Sequence, residues 1–307
     1  MISLPYPVMV HLMDVRRSWK FLVAGFLFSC LILGGGFFYF RSPVVLVSDA
    51  AFDALYGIRR TWEKRILLSL RFFRQVKIVL AAENTGADML VFAIEEAHGA
   101  PYCVLFPYRY FEAAGRYAAQ FSRIPVALFG GRAQEAPEEG NFLFIPTDIQ
   151  QDFYLAGRCA AVFAESGGKI LFFQENSMPA AIREAFMKGL REQGFEGEPL
   201  FLSAGAAYSG SEQPACVVML GSAVPFLEQH PDLPVILFSW INPNLTARGV
   251  KIIFDDSPWA MAARTVSMIA RGAEARPLRS DILFFQRRMP ERGFLQKITD
   301  AIGTNMQ

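Results

Sequence analysis

The chain has 307 residues, enough for two domains of ordinary size, and 52% of them are hydrophobic. Lys and Arg number 30 against 29 Asp and Glu, and the resulting net charge of +1 gives no electrostatic footprint for a nucleic-acid partner. The four cysteines (Cys30, Cys103, Cys159, Cys216) stand far apart with no CxxC pair, which speaks for isolated buried thiols over a metal or redox centre.

Phe21 to Phe40 (FLVAGFLFSCLILGGGFFYF) carries no charge and is long enough to cross a bilayer as a helix. Arg16, Arg17 and Lys20 precede it and Arg41 alone follows closely. The positive-inside rule therefore puts residues 1–20 in the cytoplasm, a transmembrane or signal segment at 21–40, and the remainder outside. Leu27-Phe28-Ser29-Cys30 also fits a loose lipobox, with Cys30 as the lipidation site after cleavage. The apolar run continues well past Cys30, which favours a retained helix. Either route places the soluble part outside the cytoplasm, at the inner membrane.

From residue 43 the chain alternates short apolar runs with helical stretches. Val44 to Val47 predicts a strand ending at Ser48-Asp49, followed by a helical stretch carrying Phe52, Leu55, Trp62, Ile66 and Leu70. Val76–Leu80, Tyr102–Phe106, Pro125–Phe129 and Phe142–Ile145 predict further strands, with helices at Ala87–His98 and Tyr110–Phe121 between them. Pro107-Tyr108 and Gly130-Gly131 close two of these strands. This is a five-strand alternating unit, the make-up of one Rossmann-like lobe.

A second unit follows Thr147-Asp148, either of which can accept the free N–H groups of a helix beginning near Gln150. Strands are expected at Lys169–Gln174, Pro199–Leu202, Cys216–Leu220, Val235–Trp240, Val250–Phe254 and Ser280–Phe285. Helices are expected at 150–166, 179–193, 223–230, 258–271 and 291–302, with Pro258 in a first turn where its missing N–H costs nothing.

The stretch 141–194 carries more than a pattern of elements. An apolar strand, Thr-Asp, a helix containing Gly157-Arg158, a Gly-Gly turn, a strand and a helix ending in Gly189-Leu190-xxx-Gly194 resembles the type I periplasmic binding proteins. The effector-binding cores of lactose-repressor-like regulators share that pattern, but no DNA-reading helix-turn-helix precedes it here. The resemblance spans roughly residues 43 to 290 as an order of elements. It implies two Rossmann-like α/β lobes with parallel sheets, joined by a three-strand hinge and holding a ligand between them. Crossings near Thr147-Asp148, Asp256-Ser257 and Leu278-Arg279 make lobe 1 from 43–147 and 257–279, and lobe 2 from 148–256 and 280–307.

On that reading the cleft is lined by strand ends. The candidate ligand-binding residues are Asp49, Phe52, Tyr108, Asn176, Ser222, Trp240, Asn242, Asp256 and Trp259. Sugar-binding members of the family resemble one another in charged forks that hold hydroxyl pairs. At the matching positions this chain has Gly130, Phe186 and Ser222, so a nucleoside or another ring-bearing solute is expected over a simple sugar. Arg183 is expected on the surface. The three histidines are not spaced as metal ligands, the Gly-Gly pairs lack a phosphate-binding context, and adjacent Asp255-Asp256 point to opposite faces of a strand. No enzyme and no cofactor is expected. The resemblance implies a membrane-attached solute-binding protein serving an ABC permease, or a sensor or interaction protein of the same fold with a degenerate cleft.

Overall fold

The computed structural model describes residues 23–26, 28–29, 35–50, 54, 61–82, 84–131, 140–165, 168–175, 177–212, 214–241, 248–285 and 292–303. Phe52, Asn176, Asn242 and Cys30 lie outside the described residues, as does the whole of the expected cytoplasmic segment 1–20. Among the described residues, no helix is long and apolar enough to cross a membrane. Residues 35–40 are helical and rest against the end of the first lobe helix, where the Phe37 and Phe38 rings lie 6.0 and 5.8 Å from that of Phe73.

Two separate sheets organise the chain. Strands β1 (Val44–Asp49), β2 (Val76–Ala81), β3 (Cys103–Pro107), β4 (Val126–Phe129) and β5 (Phe142–Ile145) make a parallel sheet in the order β2-β1-β3-β4-β5. Strands β6 (Lys169–Gln174), β7 (Leu200–Ser203), β8 (Pro214–Leu220), β9 (Val235–Phe238), β10 (Lys251–Asp255) and β11 (Asp281–Phe285) make the other, in the order β11-β10-β9-β8-β6-β7. The named helices are α1 (Thr61–Phe72), α2 (Ala87–His98), α3 (Phe111–Gln120), α4 (Ile149–Ala164), α5 (Ala180–Glu192), α6 (Val224–Gln229), α7 (Pro258–Ala270) and α8 (Arg292–Ile302).

The middle of each central strand is apolar because both of its faces are covered, and polar residues fall at the strand ends. In the first sheet Val44 and Leu46 join α1 and α7 on one face, while Val45 and Val47 join α2 and α3 on the other. In the second, Ile170 and Phe172 pack under α4, α5 and α8, and Leu171 and Phe173 under α6. The terminal helix α8 thus belongs to the second lobe, with Ile298, Ala301 and Ile302 in its core.

One feature departs from two purely parallel sheets. Strand β11 runs antiparallel to β10, pairing Asp255 with Asp281 and Lys251 with Phe285. The chain re-enters this lobe beside the carboxyl end of β10, and only a long crossover could return it to the other end before pairing. Strand and helix limits otherwise shift by a residue or two from the sequence expectation. Ser239 and Trp240, expected in a strand, lie beyond the end of β9.

The glycines of the 157/189 pattern have a packing reason. A Cβ on Gly157 would come within 2.2 Å of the Phe186 carbonyl oxygen, and one on Gly189 within 2.0 Å of the Tyr154 carbonyl oxygen. Helices α4 and α5 therefore cross backbone to backbone, which seats Phe186 and Leu190 fully in the core. Asp148 starts α4 by accepting from the Gln151 amide at 3.1 Å.

The chain passes between sheets three times, always at the carboxyl ends of parallel strands. After β5 it runs through Thr147 into α4, after β10 through Ser257 into α7, and after Leu278 into β11. The first and third passages are paired in parallel. The Asp148 amide donates to the Leu278 carbonyl and the Leu278 amide to the Pro146 carbonyl, both at 2.9 Å. Beside them Asp152, 2% exposed, accepts from the Ser280 amide at 2.8 Å and the Ser280 hydroxyl at 2.6 Å. Burial pushes the Asp152 carboxyl up from 3.8 to about 7, and the Ser280 bonds only partly oppose it.

Two outcomes follow. Gly157→Ala should lower stability by about 1–3 kcal/mol, because helices α4 and α5 must separate to admit the methyl group. Denaturant unfolding would measure it, and Gly194→Ala, where space is open but φ is +85°, makes a comparison for strain without a clash. The second concerns pH. Between its ordinary value and about 7, the folded state holds a proton on Asp152 that the unfolded chain releases. Its contribution is therefore complete below about pH 4 and lost as pH rises towards 7. Asp152→Asn should flatten the fall in melting temperature over that window relative to the unsubstituted chain.

Candidate functional site

Two passages leave from the carboxyl ends of β5 and β10, and the third, bridged to the first at Leu278, enters β11 beside the carboxyl end of β10. The carboxyl ends of β1, β3 and β4 in one sheet and of β6, β8 and β9 in the other are the places where open α/β sheets expose groups to a ligand. Asp49 ends β1 and is 3% exposed. Its Oδ2 accepts from the Tyr110 hydroxyl at 2.5 Å and lies 3.4 Å from Nη1 of Arg109, a side chain 41% exposed. The 3-10 turn Tyr108–Tyr110 makes this possible, since it folds the chain leaving β3 back towards the end of β1. Burial and the bond to Asp49 raise the Tyr110 hydroxyl well above its ordinary pKa, so it remains a donor.

Tyr108 is half-buried beside the turn after β4. A Cβ at Gly131 would lie 2.4 Å from the Tyr108 ring, and Gly130 and Gly131 both have positive φ. The pair of glycines therefore provides a tight turn and a flat seat for an aromatic ring. The Phe144 ring, 6.1 Å away, supports Tyr108 from the side.

The other lobe contributes fewer charges. Gln174 ends β6, and its Oε1 is buried without a hydrogen-bond partner among the described residues. Ser222 is exposed after β8, and its carbonyl accepts from the Gly205 amide at 2.8 Å. Buried Gly221 precedes it, where a Cβ would lie 2.8 Å from the Glu175 amide nitrogen. Trp240 is half-buried and stacks on Phe238 at 4.8 Å, with one side held by the lobe core.

At the second passage Asp256 accepts from the Ser239 hydroxyl at 2.6 Å, and its own amide donates to the Ser239 oxygen at 3.2 Å. Burial raises the Asp256 carboxyl to about 6. This pair links the end of β9 to the start of α7, whose first amides are capped by Ser257. Trp259 is 3% exposed within the core beneath α7, packed with Val44, Leu46 and Ile145. Its burial there is the packing role of a large aromatic; its Nε1 has no hydrogen-bond partner among the described residues.

The structure thus places Asp49 and Tyr108 at tips of the first sheet, Ser222 and Trp240 at tips of the second, and Asp256 at a passage between them. Arg109 and Tyr110 were not singled out from the sequence. A helix beginning at Tyr110 hides them, and only the 3-10 turn aims them at Asp49. Phe186, matched by eye to a position of the sugar-binding fork, is fully buried in the second lobe and edge-on to Phe172. Arg183 is exposed and lies over the Phe201 ring at 4.4 Å. Cys103, Cys159 and Cys216 are free and buried, their thiols raised by burial. No group of His, Cys, Asp or Glu among the described residues is placed to hold a metal ion.

No protein-family profile matches the sequence, and no curated protein is significantly similar to it. Solved structures are similar in fold. An ABC transporter solute-binding protein from Conexibacter woesei superposes with a TM-score of 0.60 at 14% identity, over 86% of this chain and 95% of its own. A transcriptional activator from Bacillus halodurans gives 0.56 at 16% identity, over 85% and 96%. A periplasmic solute-binding protein from Actinobacillus succinogenes, solved with bound D-allose, gives 0.51 at 13% identity, over 80% and 98%. With its two sheets, tip-side passages and glycine-bridged α4–α5 pair, the chain adopts the type I periplasmic binding protein fold.

Proposed function

We propose that this protein is an extracytoplasmic, membrane-attached solute-binding protein. It captures a small molecule between its lobes by hinge closure and delivers it to an ABC importer. The observation that carries this reading is the Asp49–Tyr110–Arg109 cluster at the tips of the first sheet. A buried carboxylate there is held by two donors, so the exposed guanidinium face of Arg109 is oriented before any ligand arrives. Tyr108, seated on Gly131, and Trp240, stacked on Phe238, offer flat rings from opposite lobes. Gln174 adds a buried acceptor lacking a partner among the described residues, a group that a bound solute or a water would satisfy. Lobe 1 is taken as 43–147 with 257–279, and lobe 2 as 148–256 with 280–307. Closure would swing these about the paired strands at Thr147 and Leu278.

Aromatic faces with one guanidinium suit a nucleoside or another ring-bearing solute better than a simple sugar, whose hydroxyl pairs need several charged forks. Gln174, Ser222 and Trp240, the uncharged candidate residues of the second lobe, also support a second reading, in which a ligand sensor or interaction protein uses the same fold without transport. Attachment rests on the apolar 21–40 segment, either retained as a helix or replaced by lipid on Cys30. Intact-mass spectrometry of membrane-extracted protein separates those two.

The test is a melting-temperature screen of the full chain against nucleosides, monosaccharides and amino acids. A bound solute at a hundred times its Kd should add about 2.7 kcal/mol of stability. Nucleosides are expected to raise the melting temperature, and Arg109→Ala to weaken their affinity by about tenfold, the worth of one charged hydrogen bond, which cuts the added stability at that concentration to about half. The unliganded Arg109→Ala chain should melt somewhat lower, because buried Asp49 loses one of its donors, so affinity is read from the rise each ligand adds to its own unliganded baseline. No rise with any class would favour the sensor reading over transport.

A further inference from the structure

A second concave surface lies away from the candidate cleft residues, none of which lines it. It is a groove of about 850 Å³ between α7 and the end of α1 on one side and β11 with α8 on the other. Arg71, Arg264, Arg271, Arg276 and Arg279 line it, and Asp281 is the one carboxylate facing them among the described lining residues. Arg264 is most committed, pairing with Asp281 at 3.5 Å and donating to the Arg279 carbonyl. Burial pushes the Arg264 guanidinium below its ordinary pKa, and Arg279 and Arg276 act in the same direction against the pull of Asp281. Ser267 and Ser280 add hydroxyls, although that of Ser280 is already given to Asp152.

The excess of cations does not stop at this groove. A smaller cavity of about 280 Å³ shares Arg71, Ser267 and Arg271 with it and adds Arg41 and Arg74. Arg74 lies over the Tyr102 ring at 3.9 Å and donates to the Ser42 carbonyl, so this end of the surface is rigidly built. A chain whose net charge is only +1 has thus concentrated seven guanidinium groups on one continuous concave face. Like charges brought together in a recess repel and lose hydration. Their arrangement is favourable when a multivalent anion lies among them. Guanidinium forks match the oxygens of phosphate in pairs, and a volume near 850 Å³ admits more than one phosphate group.

The geometry points to a binding site for a phosphate-bearing polyanion in this arginine groove. The same chemistry has two sources. One is a soluble phosphorylated molecule held between α7 and β11. The other is the headgroups of anionic lipid, which Arg41 would meet at the end of the 21–40 segment.

Calorimetry on the full chain in nanodiscs separates them, with inorganic triphosphate as the probe. In discs of neutral phosphatidylcholine, saturable triphosphate binding is expected, weakened about tenfold or more in Arg71→Gln/Arg271→Gln. Affinity should fall steeply with added salt as counterions are exchanged. The unliganded double variant should melt as the unsubstituted chain does. In discs containing phosphatidylglycerol, weakened triphosphate binding identifies lipid headgroups as occupants, and unchanged binding identifies a soluble ligand. Arg123→Gln, a charge on the surface away from the groove, should leave every value unchanged. The proposal is overturned if triphosphate does not bind in neutral discs, or if it binds the double variant as tightly as the unsubstituted chain. Neither result bears on capture in the cleft, because the probe and the variants leave the strand tips untouched.

Discussion

The structure depends on one constraint: the chain changes lobes only at the carboxyl ends of its parallel strands, and it is pinned where it does so. Thr147 pairs with Leu278, and Asp152 holds Ser280 through both carboxylate oxygens. A buried carboxylate with two donors and little solvent is costly to disturb, so the first and third passages act as one ribbon. The second passage is tied separately, through Ser239 and Asp256. These bonds bring two sets of strand tips together. Both carboxyls are pushed upward by burial, so protonation at the hinge depends on folding.

The glycine pair in the second lobe serves the same geometry from a distance. Gly157 and Gly189 let α4 and α5 touch along their backbones, so α4 lies deep on its sheet and its first turn is fixed in place. Asp152 belongs to that turn. A looser α4–α5 crossing would carry the Asp152 carboxylate away from Ser280. Packing in the body of the lobe is thus coupled to alignment at the passages.

Much of this was legible in the sequence because the strands are short, apolar and separated by helices of regular spacing. Ala87–His98 and Phe142–Ile145 fall where their patterns end. The glycines of 141–194 carried the fold resemblance, and their packing explains why those positions bear no side chain. The direction of β11 was not legible, because the apolar run of its last four residues has the same pattern in either direction. Nor was the pairing of Asp49 with Arg109 and Tyr110, which depends on a three-residue turn and on side chains sixty positions apart. Trp259 looked like a tip residue because it follows a passage. As the second residue of α7 it is packed into the core instead. The arginine groove escaped notice because Arg71 and Arg264 through Arg279 come together only when α7 packs beside α1.

The central claim is that two α/β lobes move towards each other around a captured solute. Spin labels on Ala82→Cys and Ser177→Cys, exposed positions beyond β2 and β6, report that movement directly as an interlobe distance in the full chain. With a saturating mixture of nucleosides, monosaccharides and amino acids, the distance distribution should shorten and narrow relative to the free protein. A distribution that is the same with and without the mixture would contradict capture by closure.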